Sequence, residues 1–125
     1  MLKNILATII LLVLDFLWLG LFMGGKYTPL VKAIQGSELK MNPYSAAAAY
    51  FLMVVALNMF VIKYNFTYLE TFIFGVCLYG VYDFTNGAIF GKWDFNLAII
   101  DILWGGLVYL LAHYLSDYLI KNVSL

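Results

Sequence analysis

Four apolar runs, residues 5–23, 44–62, 69–90 and 97–115, constrain this chain more than any other feature. Each has roughly the ~20 residues that a helix needs to cross ~30 Å of hydrocarbon at about 1.5 Å of rise per residue. A strand buried in a soluble core would need only about four to eight. Within a bilayer the backbone must satisfy its own hydrogen bonds, and a helix does so inside one segment. Composition agrees: 65% of the residues are hydrophobic and 11% charged, against about half and a quarter in soluble domains, which excludes a water-soluble globule. The expected fold class is all-α, an antiparallel bundle of four transmembrane helices forming a single domain over residues 1–125.

The connections set the topology. Lys3 precedes the first run as in a secretory signal, but Asp15 interrupts the run and no small-residue cleavage pattern follows, so it is expected to remain as a span. The first connection, "GGKYTPLVKAIQGSELKMNP", carries Gly24, Gly25, Pro29 and Pro43 as breaks. Leu30, Val31 and Ile34 between them predict a short interfacial helix anchored by Tyr27. "KYNFT" and "GKWDFN" are tight enough to make their flanking helices antiparallel neighbours, which puts both termini on one face. Lys26, Lys32, Lys40 and Lys92 fall on the loop face and Lys3, Lys63 and Lys121 on the termini face, an excess that points to non-cytoplasmic termini. Glycosylation-type triplets at Asn65 and Asn122 lie on that same face, although chance also produces them.

Bulk electrostatics narrows the partners. The formal net charge is zero, so no nucleic-acid partner is expected, and the lipid bilayer is the surrounding medium. The lone Cys77 offers neither an intrachain disulfide nor metal-ligand spacing and reads as a small packing residue. No metal and no cofactor is expected.

The polar residues inside the runs then acquire depths. On an ideal-helix ruler Asp15 lies ~2 Å from the midplane, Asp83 ~5 Å, Asp101 ~7 Å and Asn86 ~9 Å, all toward the loop face. Trp18 and Trp104 share this layer, whereas Asn58 and His113 fall in the opposite half, His113 near the interface. A carboxylate in hydrocarbon costs ~2.5–3.5 kcal/mol on insertion scales, so three displaced the same way should converge inside the bundle. In the third run Tyr79, Asp83 and Asn86 are spaced to share a helix face and bond one another, with Tyr82 and Thr85 beside them as supporting partners. "LDFLWLG" and "IDILWGG" each place a tryptophan three residues after an aspartate, so each unit offers an acceptor and an indole donor to a neighbouring helix. These copies sit on oppositely directed helices, as in an inverted repeat, but a match this short does not establish duplication. Gly20, Gly80, Gly87, Gly91 and Gly105 are expected at close helix contacts, and Trp93 with Lys92 at the membrane interface.

"DFLWLG", "NPYSAAAAYFLMVVALNMFVI" and "YGVYDFTNGAIFGKWDFNLAIIDILWGG" together resemble a widespread family of small predicted membrane proteins of unknown function. The resemblance covers nearly the whole chain and rests on the family patterns D-L-x-W-x-G, Y-D-L-T-N and D-x-x-W-G. It implies that Asp15, Trp18, Gly20, Tyr82, Asp83, Thr85, Asn86, Trp93, Asp101, Trp104 and Gly105 matter to the family's architecture. This chain has Phe84 where the family prefers leucine and Asp94 where proline is common, so its last turn is expected to differ. The resemblance brings no activity with it.

Three functions fit these residues. A carboxylate cluster in a polar cavity can bind and release a proton or small cation, in conduction or transport; with no lysine or arginine in the layer, the acids must share protons or hold a cation. The same network can lock a structural or accessory subunit, and a homo-oligomer through the glycine faces would enlarge a pathway too small for one chain. A membrane-embedded lipid-active enzyme is the third reading, less favoured because no histidine joins the layer and no nucleophile pairs with a base.

Overall fold

The computed structural model describes residues 1–123, so Ser124 of the second triplet lies outside the described residues. Five α-helices follow in chain order: α1 (Leu2–Trp18), α2 (Gly24–Gln35), α3 (Pro43–Ala56), α4 (Tyr68–Ile89) and α5 (Phe95–Asn122). A π-helical segment, Leu19–Met23, joins α1 to α2, and another, Leu57–Ile62, extends α3. Four continuous helical stretches, Leu2–Gln35, Pro43–Ile62, Tyr68–Ile89 and Phe95–Asn122, are long and apolar enough to cross a membrane. Among the described residues there is no strand.

Local chemistry explains where these helices begin and end. Asn42 caps α3 by accepting from the backbone N–H groups of Tyr44 at 3.0 Å and Ser45 at 3.2 Å, with Pro43 following it. Thr67 and Glu70 form a reciprocal capping box at the start of α4. Asp94 caps α5 by accepting from Asn96 N at 2.9 Å and Leu97 N at 3.2 Å.

The first connection differs from the sequence expectation. Gly24, Gly25 and Pro29 do not break the chain; the predicted interfacial helix is α2, and it continues α1 instead of standing apart from it. The π-helical segment between them brings the Leu19 carbonyl oxygen so close that any Cβ at Gly24 would collide with it, which accounts for a glycine there. Pro29 removes one backbone donor, and Thr28 Oγ1 donates to the Gly24 carbonyl at 2.8 Å one turn earlier. The helix stops at Gly36, whose φ of 76° is left-handed and suits glycine. At the other end α5 runs past the expected limit at Leu115 to Asn122, because Lys3 and Tyr68 both bind Asp117 and tie its last turns to α1 and α4.

α5 is the central helix. It packs against α4 on one side and α1 on the other; α1 in turn meets the π-helical extension of α3, while α3 and α4 hardly touch. The bundle is thus open along one seam. Ala7, Leu11, Leu57, Val61, Val108, Tyr109 and Ala112 form its buried apolar core. Large apolar side chains such as Leu21, Phe51, Leu52 and Ile89 face outward, and Asp15, Asp83, Asp101, His113 and Ser116 face inward, the distribution a lipid solvent selects.

Lipid tails are as apolar as leucine, so close backbone approach, not hydrophobic burial, holds such helices together. The approach of α4 to α5 occurs at Gly75, Gly105 and Gly106: a Cβ on Gly75 would strike the Gly105 carbonyl, one on Gly105 the Tyr79 ring, and one on Gly106 the Phe72 ring. Gly87 faces the Phe95 ring. Of the glycines expected at close contacts, Gly87 and Gly105 are there, whereas Gly20, Gly80 and Gly91 have nothing within 4 Å of such a Cβ. Gly75→Ala should therefore lower stability by about 1–3 kcal/mol through overpacking against backbone. Gly80→Ala should leave it unchanged or raise it by up to about 1 kcal/mol through helix propensity. Thermal unfolding midpoints in detergent read both effects.

Candidate functional site

Asp15 on α1 is 5% exposed and accepts three hydrogen bonds: from Tyr79 OH at 2.8 Å and Trp104 Nε1 at 3.0 Å to Oδ1, and from Tyr50 OH at 2.8 Å to Oδ2. Its two oxygens are supplied by α3, α4 and α5 together, with no cation involved. Asp101 on α5, also 5% exposed, accepts from Trp18 Nε1 at 3.4 Å. The aspartate–tryptophan units therefore exchange donors: Trp104 of the second serves Asp15 of the first, and Trp18 of the first serves Asp101 of the second. Because α1 and α5 are antiparallel, an i+3 spacing on each brings both pairs into register at once. The two indoles lie face to face between the acids, with ring centroids 4.7 Å apart and planes 8° from parallel.

Asp83 completes the layer. It is fully buried on α4, its Oδ1 accepts from Tyr27 OH at 3.3 Å, and the Asp101 carboxyl is its acidic neighbour. Its Oδ2 has no partner. Among the described residues none of the three acids enters a salt bridge, and no three His, Cys, Asp or Glu side chains gather as a metal-ligand set. The result is a buried carboxylate network, satisfied by aromatic hydroxyls and indoles at Asp15 and under-supplied at Asp83 and Asp101.

Two cavities meet this network. The larger, about 540 Å³, lies in the seam between α3 and α4 and touches Asp15, Asp101, Trp18, Tyr50 and Tyr79. The smaller, about 300 Å³, is enclosed by α2 and the end of α4 and touches Asn86, Phe90 and Trp93. Tyr27 and Tyr82 line both.

Not every residue singled out by sequence reaches the layer. Tyr79 bonds Asp15 across the bundle, not Asp83 on its own helix, and Asn86 borders the smaller cavity without a hydrogen bond to Asp83. Same-face spacing allowed those local pairs, but the longer reach of Tyr79 favours the acid on the opposing helix. Tyr82 is half exposed and meets the Trp93 ring edge-on, while Thr85 is exposed. Trp93 is buried against Tyr27, with ring centroids 5.7 Å apart, and is not a lipid-facing anchor. His113 likewise is buried, bonded through Nε2 to the Phe66 carbonyl at 2.7 Å.

The sequence singles out Tyr27 only as the interfacial anchor of the short helix, whereas its hydroxyl reaches Asp83, and it does not single out Tyr50 at all. Tyr50 carried a usable signal: it follows Ala46–Ala49 and falls ~4 Å to the loop side of the midpoint of its span, the layer of the acids.

Asp15→Asn should cost about 1–3 kcal/mol of stability, since an amide NH₂ would face donors already aimed at the carboxylate. Trp104→Phe should abolish the exciton couplet that the stacked indoles give in circular dichroism while the helical signal persists. No curated protein and no solved structure is significantly similar to this chain. A family model described as Predicted membrane protein (DUF2177) matches residues 1–116, and the chain belongs to that family.

Proposed function

We propose that this integral membrane protein transports a proton or small cation through the Asp83–Asp101 pair. The observation that carries this reading is the close approach of two buried carboxyls without a basic partner, one of them with an oxygen that receives no hydrogen bond. Like charges at such separation repel, and a proton or cation held between them removes the repulsion. Asp15, held by three donors, positions the layer and does not exchange.

The route is stepwise rather than an open pore. Along α1, Ala7 and Leu11 separate Asp15 from Lys3, and along α5, Val108 and Ala112 separate Asp101 from Asp117. That apolar layer isolates the acids from the polar groups at the termini end, so release on that side requires a rearrangement. The π-helical segments Leu19–Met23 and Leu57–Ile62 are candidates for it, since such segments mark adaptable helix positions. With non-cytoplasmic termini, the site as it stands belongs to the cytoplasmic half. Self-association through the open faces at Gly20, Gly80 and Gly91 would enlarge the path.

A second reading, a structural or accessory subunit, is favoured by the donor exchange between α1 and α5, which locks packing without moving charge. Liposomes distinguish the two. Purified protein should dissipate an imposed proton or potassium gradient, and Asp83→Asn should reduce the rate at least tenfold while keeping the indole couplet. Equal leak in wild type and variant rejects transport and leaves the structural role.

A further inference from the structure

We infer that the seam between α3 and α4 is a lateral binding site for a single-chain amphiphile with a primary ammonium head group, entering from the lipid phase. The inference extends the acidic site to a ligand and shares Asp101 with the transport reading. Three features of the seam support it.

The first is access. α5 closes the bundle against α4 and α1, and α1 closes it against the π-helical extension of α3, whose Phe60 meets Phe74 of α4, but α3 itself and α4 leave the cavity of about 540 Å³ between them. This volume is within the ~300–1,000 Å³ typical of small-molecule sites. The second is a graded lining. Ala49, Leu52 and Met53 of α3 and Leu78 of α4 offer an apolar wall to an alkyl chain. Ala46 and Ala49 are small, which keeps the mouth wide where larger side chains would seal it.

The third is the chemistry of the inner end. Asp101 lines the cavity, is 5% exposed, and accepts a long 3.4 Å bond from Trp18, with the Tyr27 hydroxyl beside it. Behind it, outside the cavity lining, Asp83 is fully buried with one oxygen that has no donor and adds to the negative charge at this end. The rings of Trp18, Tyr50 and Tyr79 border the same end. An acid held by one long hydrogen bond, with a second acid behind it, aromatic rings around it and no lysine nearby, matches a cation that carries N–H groups: the ammonium supplies charge and donors together, and the rings attract it through their quadrupoles. An anionic head would meet like charge, and a neutral alcohol would supply one donor and no charge. Asp101 lies ~9 Å inside the loop-face end of α5, a depth that a head group reaches only through the seam or past Tyr27 and Tyr82.

The test is equilibrium binding of radiolabelled tetradecylamine to protein purified in a maltoside detergent, with tetradecyl sulfate and tetradecanol as comparators. Saturable binding near one amine per chain is expected, at least tenfold tighter than either comparator. Asp101→Asn should weaken it at least tenfold. Ala49→Trp, which fills the apolar wall without touching an acid, should abolish it while the couplet from Trp18 and Trp104 shows that the layer is intact. Equal binding of amine and sulfate, or of wild type and both variants, overturns the inference. Amine binding without gradient dissipation in liposomes supports the ligand site and removes the transport reading alone; dissipation that depends on Asp83 without saturable amine binding removes the ligand site alone.

Discussion

A carboxylate inside a bilayer has no water to turn to, and the exchange of indole donors between α1 and α5 is how this fold meets that constraint. Trp104 reaches Asp15 and Trp18 reaches Asp101, with the two rings stacked between them. Breaking either bond takes a donor from an acid in a region of low dielectric, so the pair fixes both the register and the separation of the two helices. Tyr50 and Tyr79 then attach α3 and α4 to the same acid, and three neighbours of α1 are located by one side chain.

The glycine contact between α4 and α5 serves this layer directly. Tyr79 packs over Gly105, and only the absence of a side chain there lets its ring lie flat enough for the hydroxyl to reach Asp15. Packing and hydrogen bonding are therefore coupled at one residue. The seam between α3 and α4 has no comparable contact, which leaves the acids approachable from one side. Satisfaction is uneven across the layer: Asp15 has three donors, Asp83 has one, and one oxygen of Asp83 has none. The network is complete at Asp15 and deficient at Asp83, and the transport proposal rests on that unevenness.

Much of this was legible in the residues themselves. The converging depths of Asp15, Asp83 and Asp101 follow from helix rise and alternating direction alone, and the spacing of Asp15 to Trp18 and Asp101 to Trp104 already suggested donation between helices. The contact of Tyr27 with Asp83 was not legible, because two glycines and a proline in a polar stretch ordinarily end a helix and leave Tyr27 as an interfacial anchor, whereas the π-helical segment before Gly24 carries the helix on and brings Tyr27 to Asp83. Helix-face rules likewise put Tyr79 with Asp83, since they describe neighbours on one helix and say nothing of a closer acceptor on another.

By itself, then, the chain determined its medium, its helix content, the number of its spans and the depth of its acids, since these depend on run length and composition, quantities local to each segment. Tertiary structure alone decided which donor meets which acid, where the backbones touch at Gly75 and Gly105, and which seam stays open. Those choices depend on the rotation of each helix about its axis and on side-chain volume at the contact. Between helices in lipid, apolar patterning barely distinguishes one rotation from another, so the rotation is settled by the few polar and small residues that can meet only one way.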